Sequence, residues 1–79
     1  MRVNALYFGG LRAKLGREGD WLQLNEGSSA VDAAAQAVGH LGPEWMAALR
    51  YAVNAEIVPA VTTLHEGDEL ALLPPVSGG

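Results

Sequence analysis

Cysteine is absent from this 79-residue sequence, so neither a disulfide framework nor a cysteine-ligated zinc site is available to reinforce the fold. Stability has to come from packing, and any sulfur that the chain handles must ride on something other than its own thiol. Positive charge is also scarce: five Lys and Arg against nine Asp and Glu leave a formal charge of −4. Nucleic-acid binding rewards clustered cations, so no nucleic-acid partner is expected. Long apolar runs are missing too. No segment approaches the roughly 20 apolar residues that span a bilayer, and Arg2 is followed by a short mixed stretch rather than by the apolar core and cleavage site of a secretory signal. A cytoplasmic setting without membrane partners is the expectation.

Catalytic patterns are equally thin. His40 and His65 are the only imidazoles and lack the neighbours and spacing of a metal site, so no metal is expected. Ser28, Ser29 and Ser77 have no G-x-S-x-G context. The glycines at 9, 10, 16 and 19 match neither G-x-G-x-x-G nor G-x-x-x-x-G-K-[ST] and read as turns. Trp21 and Trp45 read as packed rings, since no basic groove flanks them. At this length the chain forms one domain, with little room for a catalytic cleft.

What is present is a run of short elements. Residues 2–8 alternate as a strand, with Val3, Ala5 and Tyr7 on one face and Asn4, Leu6 and Phe8 on the other. Gly9-Gly10 breaks it, and Leu11 to Leu15 can form a short helical turn. Asp20 to Leu24 is a second strand, expected to pair antiparallel with the first. Ser29, with Asp32 three residues on, marks a helix start. The helix that follows carries Val31, Ala34, Ala35, Val38 and Leu41 as its expected apolar stripe. Pro43 suits the first position of another short helix, with Trp45, Met46 and Leu49 closing the edge of the core. Tyr51 to Asn54 and Ile57-Val58 read as strands around a tight turn, and Thr62 to Leu64 as a brief extension. His65-Glu66-Gly67-Asp68 is a turn, and the acidic group Glu66, Asp68 and Glu69 reads as solvated or, failing that, as a docking patch for a basic partner. The last strand, Glu69 to Leu73, is nearly all apolar and reads as buried on both sides. One amphipathic helix among these strands predicts an α+β fold, a small mixed sheet with the helix on one face.

The chain ends Leu72-Leu73-Pro74-Pro75-Val76-Ser77-Gly78-Gly79. Each proline lacks an N–H and holds φ near about −65°, so a strand that reaches Pro74 has to leave its sheet. Six extended residues from Pro74 to Gly79 reach about 20 Å, at roughly 3.3–3.6 Å each, which suits a deep and narrow site on a partner. The two glycines remove every side-chain atom beside the terminal carboxylate. That carboxylate, ionised at neutral pH, can attack an activated phosphate. The adenylate so formed is a mixed anhydride that a sulfur nucleophile can open to a thiocarboxylate. Residues 1–73 thus read as the folded domain and 74–79 as a flexible working tail. Phe8 and Leu73 are candidates for an apolar docking patch at its root as well as for the core.

This ending, with Gly67-Asp68-Glu69-Leu70-Ala71-Leu72-Leu73 before it, Leu6-Tyr7-Phe8-Gly9-Gly10-Leu11-Arg12 near the start and Ala52-Val53-Asn54 in the middle, resembles the small, sulfur-carrying subunit of molybdopterin synthase. The resemblance implies a ubiquitin-like β-grasp of four to five strands, with the last strand beside and parallel to the first. It implies that Gly79 is adenylated, becomes a thiocarboxylate and gives its sulfur to a pyranopterin precursor, two carriers per dithiolene. Gly78 would be its slim neighbour, and Pro74, Pro75, Val76 and Ser77 tail contacts. The chain would be no enzyme alone. Its partners would be the large synthase subunit, an ATP-using activating enzyme and a sulfur donor protein, with no cofactor bound to the chain itself. Ala55 departs from the family where a turn glycine is frequent. The alternatives are the carrier for the thiamine thiazole, a modifier joined to partner lysines by isopeptide bonds, and a plain interaction module with an incidental tail.

Overall fold

The computed structural model describes residues 1–75. Within them five strands, β1 (Arg2–Tyr7), β2 (Gly19–Gln23), β3 (Arg50–Val53), β4 (Glu56–Val58) and β5 (Glu69–Leu73), form one sheet in the order β2-β1-β5-β3-β4. The helices are α1 (Gly9–Leu15), α2 (Ala30–Val38) and α3 (Pro43–Ala48). β1 and β2 pair antiparallel, as their alternation and short connection predict. The parallel partnership of β1 with β5 sets Tyr7 beside Leu72, and β5 is joined on its other edge by antiparallel β3.

The core lies on one face of this sheet. Val3, Ala5 and Tyr7 of β1, Leu22 of β2, Tyr51 of β3 and Leu70 and Leu72 of β5 bury there against α2. α2 starts where expected: Ser29 Oγ accepts from the Asp32 N–H at 3.2 Å and Asp32 Oδ2 accepts from the Ser29 N–H at 2.9 Å, a complete capping box. Its buried stripe differs from expectation. Ala30, Ala33, Ala34 and Val38 are buried, Val31 and Leu41 are half-buried and Ala35 is exposed. In a helix of near-identical alanines the side chains barely distinguish one face from the next, so its ends fix the rotation. Here the Ala30 and Val31 N–H groups donate to Thr62 O and Ala60 O, both at 2.9 Å, tying the first turn to the chain that leads into β5.

Three other expectations change. Gly9 and Gly10 belong to α1 rather than preceding it, because the Leu11 and Arg12 N–H groups both donate to Phe8 O. β2 and β3 each begin one residue earlier than their patterns suggest, within the usual uncertainty of strand ends. Trp21 is no packed ring: it is 57% exposed on the far face of the sheet, with the Arg2 guanidinium 4.7 Å from the ring centroid.

β5 is also less enclosed than its composition suggests. Leu70 and Leu72 are fully buried, but Ala71 and Leu73 are only half-buried. The ladder places Ala71 between Leu6 and Ala52, and Ile57, 71% exposed, follows beyond Ala52. This band is covered only in part: Ala52 is buried, Leu6 and Ala71 are half-buried and Ile57 stands open.

Candidate functional site

The C-terminal end of β5 is where the predicted site residues meet. The register that sets Tyr7 beside Leu72 carries Phe8 to the level of Leu73. Phe8, at 42% exposure, is one of the large apolar side chains left open to solvent. Pro74 and Pro75 follow without joining a ladder, as a residue lacking a backbone N–H requires. Together Phe8, Leu73, Pro74 and Pro75 line an open groove of about 850 Å³, whose other walls are Gly9, Gly10, Glu44, Trp45 and Ala48. Of the eight site residues expected from sequence, these four come together at the tail root. Val76, Ser77, Gly78 and Gly79 lie outside the described residues.

Each wall has a local cause. Gly9 holds φ +50, a left-handed value that turns the chain from β1 directly into α1. A Cβ there would sit 3.4 Å from Pro74 Cγ, so the bare backbone also brings the tail root close. Trp45 arrives on α3, which has Pro43 in its first turn and continues into the buried Leu49. Trp45 and Met46 pack partly against the core, as expected, but the indole also reaches outward as a wall of the groove. Sequence reasoning missed this second role, and missed Glu44 and Ala48 altogether. The available signal was the pair of glycines directly after Phe8, which read only as a turn.

Beneath the groove, a polar brace steadies the end of β1. Tyr7 turns inward from Phe8, and its hydroxyl donates to Asp20 Oδ2 at 2.7 Å. Arg17 Nε donates to the same oxygen at 2.8 Å, and its guanidinium lies 5.8 Å from the Tyr7 ring centroid. The Tyr7 N–H is held by Glu18 O at 2.8 Å. Burial, reinforced by the Asp20 carboxylate, pushes the Tyr7 phenol up to about 12. The Tyr7 hydroxyl, and then Arg17, hold the Asp20 carboxyl below the usual carboxylate range.

Among the described residues, Glu44 is the groove's one ionisable side chain, and no cluster of His, Cys, Asp and Glu could hold a metal ion. What the groove offers is apolar surface with a single acid at the rim, an arrangement for holding a protein surface. Nor does any helix among the described residues have the length and apolarity to cross a membrane.

A mixed sheet with a central parallel pair, crossed on one face by a single main helix, is the ubiquitin-like β-grasp. Within that class the chain belongs to the ThiS family, whose model matches residues 5–79. It is 30% identical to the molybdopterin synthase sulfur carrier subunit of Haemophilus influenzae over 82 residues, covering 98% of this chain and 99% of that protein. Among solved structures, SAMP1 from Haloferax volcanii superposes with a TM-score of 0.82 at 24% identity, over all of both chains. A chain of the complex of subunits 1 and 2 of molybdopterin-converting factor from Helicobacter pylori matches with a TM-score of 0.68 at 26% identity, again over all of both chains.

Proposed function

We propose that this protein is the sulfur carrier subunit of molybdopterin synthase, in which residues 1–73 form a handle and 74–79 a tail that works inside other proteins. An activating enzyme joins the Gly79 carboxylate to the α-phosphate of ATP and releases pyrophosphate. The terminal sulfur of a persulfide on the donor protein then attacks the acyl carbon and AMP leaves. A thiolate cleaves the S–S bond of the resulting acyl disulfide, so that the thiocarboxylate is freed and the donor side is left as a disulfide. In the large synthase subunit that sulfur passes to the pyranopterin precursor, and two charged carriers complete one dithiolene. The chain contributes delivery, not catalysis. Phe8, Leu73, Pro74 and Pro75 dock against the partner, Val76 and Ser77 are tail contacts inside its channel, and Gly78 lets the end pass through.

The observation that carries this reading is how β5 ends. A core strand reaches two prolines beside an open apolar groove, four residues before a Gly-Gly terminus, in a chain 30% identical to a sulfur carrier subunit along its length. Incubation with the activating enzyme, ATP and a sulfur donor is expected to add the mass of one oxygen-to-sulfur exchange at Gly79. Deleting Gly79 is expected to abolish sulfur transfer and to leave the melting temperature unchanged; full transfer by the shortened chain refutes the reading. A protein modifier would instead leave ladders of conjugates on anti-tag blots of cell extract, and a thiazole carrier would donate its sulfur to the thiamine precursor rather than to the pterin.

A further inference from the structure

The groove at the tail root contains a glycine that its backbone does not require. Gly10 has no left-handed φ, and a Cβ added to it would meet nothing closer than Trp45 Cη2 at 4.0 Å, an ordinary contact. Alanine is favoured over glycine by about 1 kcal/mol in a helix interior and by less in the first turn, where Gly10 sits, so the bare residue gives up some stability without local return. What it leaves is an open floor beside the indole edge. Conflicts of this kind between local preference and the observed residue mark functional positions.

The surfaces around that floor are specific in chemistry. Trp45 supplies an aromatic wall, Leu73 and Pro74 an aliphatic one, and Glu44 the only charged side chain among the described lining residues. Glu44 is exposed, and among the described residues no ion pair engages it. A purely apolar guest would fill the groove but desolvate this carboxylate without compensation. A lysine would meet the indole and the carboxylate as a point charge, without the planar fork that stacks and pairs side by side. An arginine satisfies every surface: its stem lies along proline and leucine, its planar head stacks on indole, and its paired N–H groups meet a carboxylate side by side. The net charge of −4 adds a field that draws a cationic surface.

We infer that the groove formed by Gly10, Trp45, Glu44, Leu73 and Pro74 receives an arginine side chain of the large synthase subunit, locking the handle in place as the tail enters. This rests on the function proposed above and names a contact that fixes the tail's direction. Charge at the rim then governs encounter, and the arginine's contacts with indole, proline and carboxylate govern how long the complex lasts.

The test is calorimetry of the full-length protein with its large subunit at two ionic strengths. Glu44→Gln is expected to weaken binding about tenfold and to flatten its salt dependence. Gly10→Leu, which fills the floor, is expected to weaken it by at least as much. Gly10→Ala is expected to raise the melting temperature while weakening binding, opposite signs that a purely structural glycine would not give. Charge reversal by Glu44→Arg should be rescued by one arginine-to-glutamate change in the large subunit. Native affinity and native salt dependence in both Glu44→Gln and Gly10→Leu overturn the inference. So does an effect confined to kcat/KM of adenylation, which would assign the groove to the activating enzyme. Thiocarboxylate formation on the unaltered protein is measured alongside; its absence is a failure of the sulfur-carrier reading and not of the groove.

Discussion

The two ends of strand β5 are built to opposite specifications. At its start the polar groups answer one another. Asn54 Nδ2 donates to Asp68 Oδ1 at 2.9 Å, the Glu69 N–H donates to Asn54 Oδ1 at 3.0 Å, and the His65 N–H donates to Asp68 Oδ2 at 2.8 Å. Glu66 Oε1 accepts from the Arg2 N–H at 3.0 Å. The acidic cluster here is a brace that fastens the turn to its neighbours, with three of its carboxylate oxygens already taken. At the other end, four residues on, apolar surface stands open and no side-chain hydrogen bond among the described residues ties Leu73, Pro74 or Pro75 down. A region whose groups are satisfied internally serves stability, and one whose groups are left waiting serves a partner.

Substitutions at the two ends should therefore separate folding from docking. The largest effect belongs to Phe8→Asp, which puts a charge into the apolar surface at the tail root. Affinity for the large subunit is expected to fall by about 2 kcal/mol or more, with little change in the denaturation midpoint; an equal loss of stability would return Phe8 to the core. At the braced end, Asn54→Ala removes both side-chain hydrogen bonds at a residue with φ +50. A destabilisation of about 1–2 kcal/mol is expected in urea, with unchanged affinity for the large subunit once folded.

A smaller effect of the opposite sign sits next door. Asn54 and Ala55, with φ +50 and +71, form the two-residue connection between β3 and β4. Such a turn calls for left-handed residues at both positions, and alanine is strained there. Ala55→Gly is expected to stabilise by about 1 kcal/mol, read as a higher urea midpoint with no change in sulfur transfer.

The Tyr7 brace gives the mildest signal, through pH. The unfolded chain releases the phenolic proton near the ordinary 10.0 and the folded chain near about 12. Between those values only the folded chain keeps it, so stability falls as pH rises from 10 towards 12. Asp20 acts in the other direction: its lowered folded value gives stability above the ordinary carboxylate pKa, lost as pH falls through the folded one. Tyr7→Phe should shrink the alkaline loss and move the acid loss to higher pH. Tyr51, whose phenol burial also raises, should keep a residual alkaline loss in that variant. Denaturation midpoints across the pH range check both limbs.

Much of this was legible in the sequence because its causes are local. The capping box needs only Ser29 and Asp32. The positions of α3 and of the β5 exit follow from what a proline ring forbids at Pro43 and Pro74. The parallel neighbour of β1 came from family resemblance, since alternation specifies which face a strand buries but not which strand lies beside it. The stripe of α2 was right at Ala34 and Val38, and at Val31 and Leu41, which pack against the core, but it took in the exposed Ala35 and missed Ala30 and Ala33, because a run of alanines carries little contrast. The open face of β5 was misjudged because composition shows how apolar a strand is, not how much of the sheet the helices cover.

By itself the sequence determined the element order, the faces of β1, the turns at Asn54-Ala55 and before β5, and a strand end that must leave the sheet at Pro74, since each depends on residues a few positions apart. Only the tertiary structure decided that Phe8, Gly10, Trp45 and Leu73 share one groove. They come from three separate parts of the chain, and it takes the β1–β5 ladder and the anchoring of α3 by buried Leu49 to bring them together.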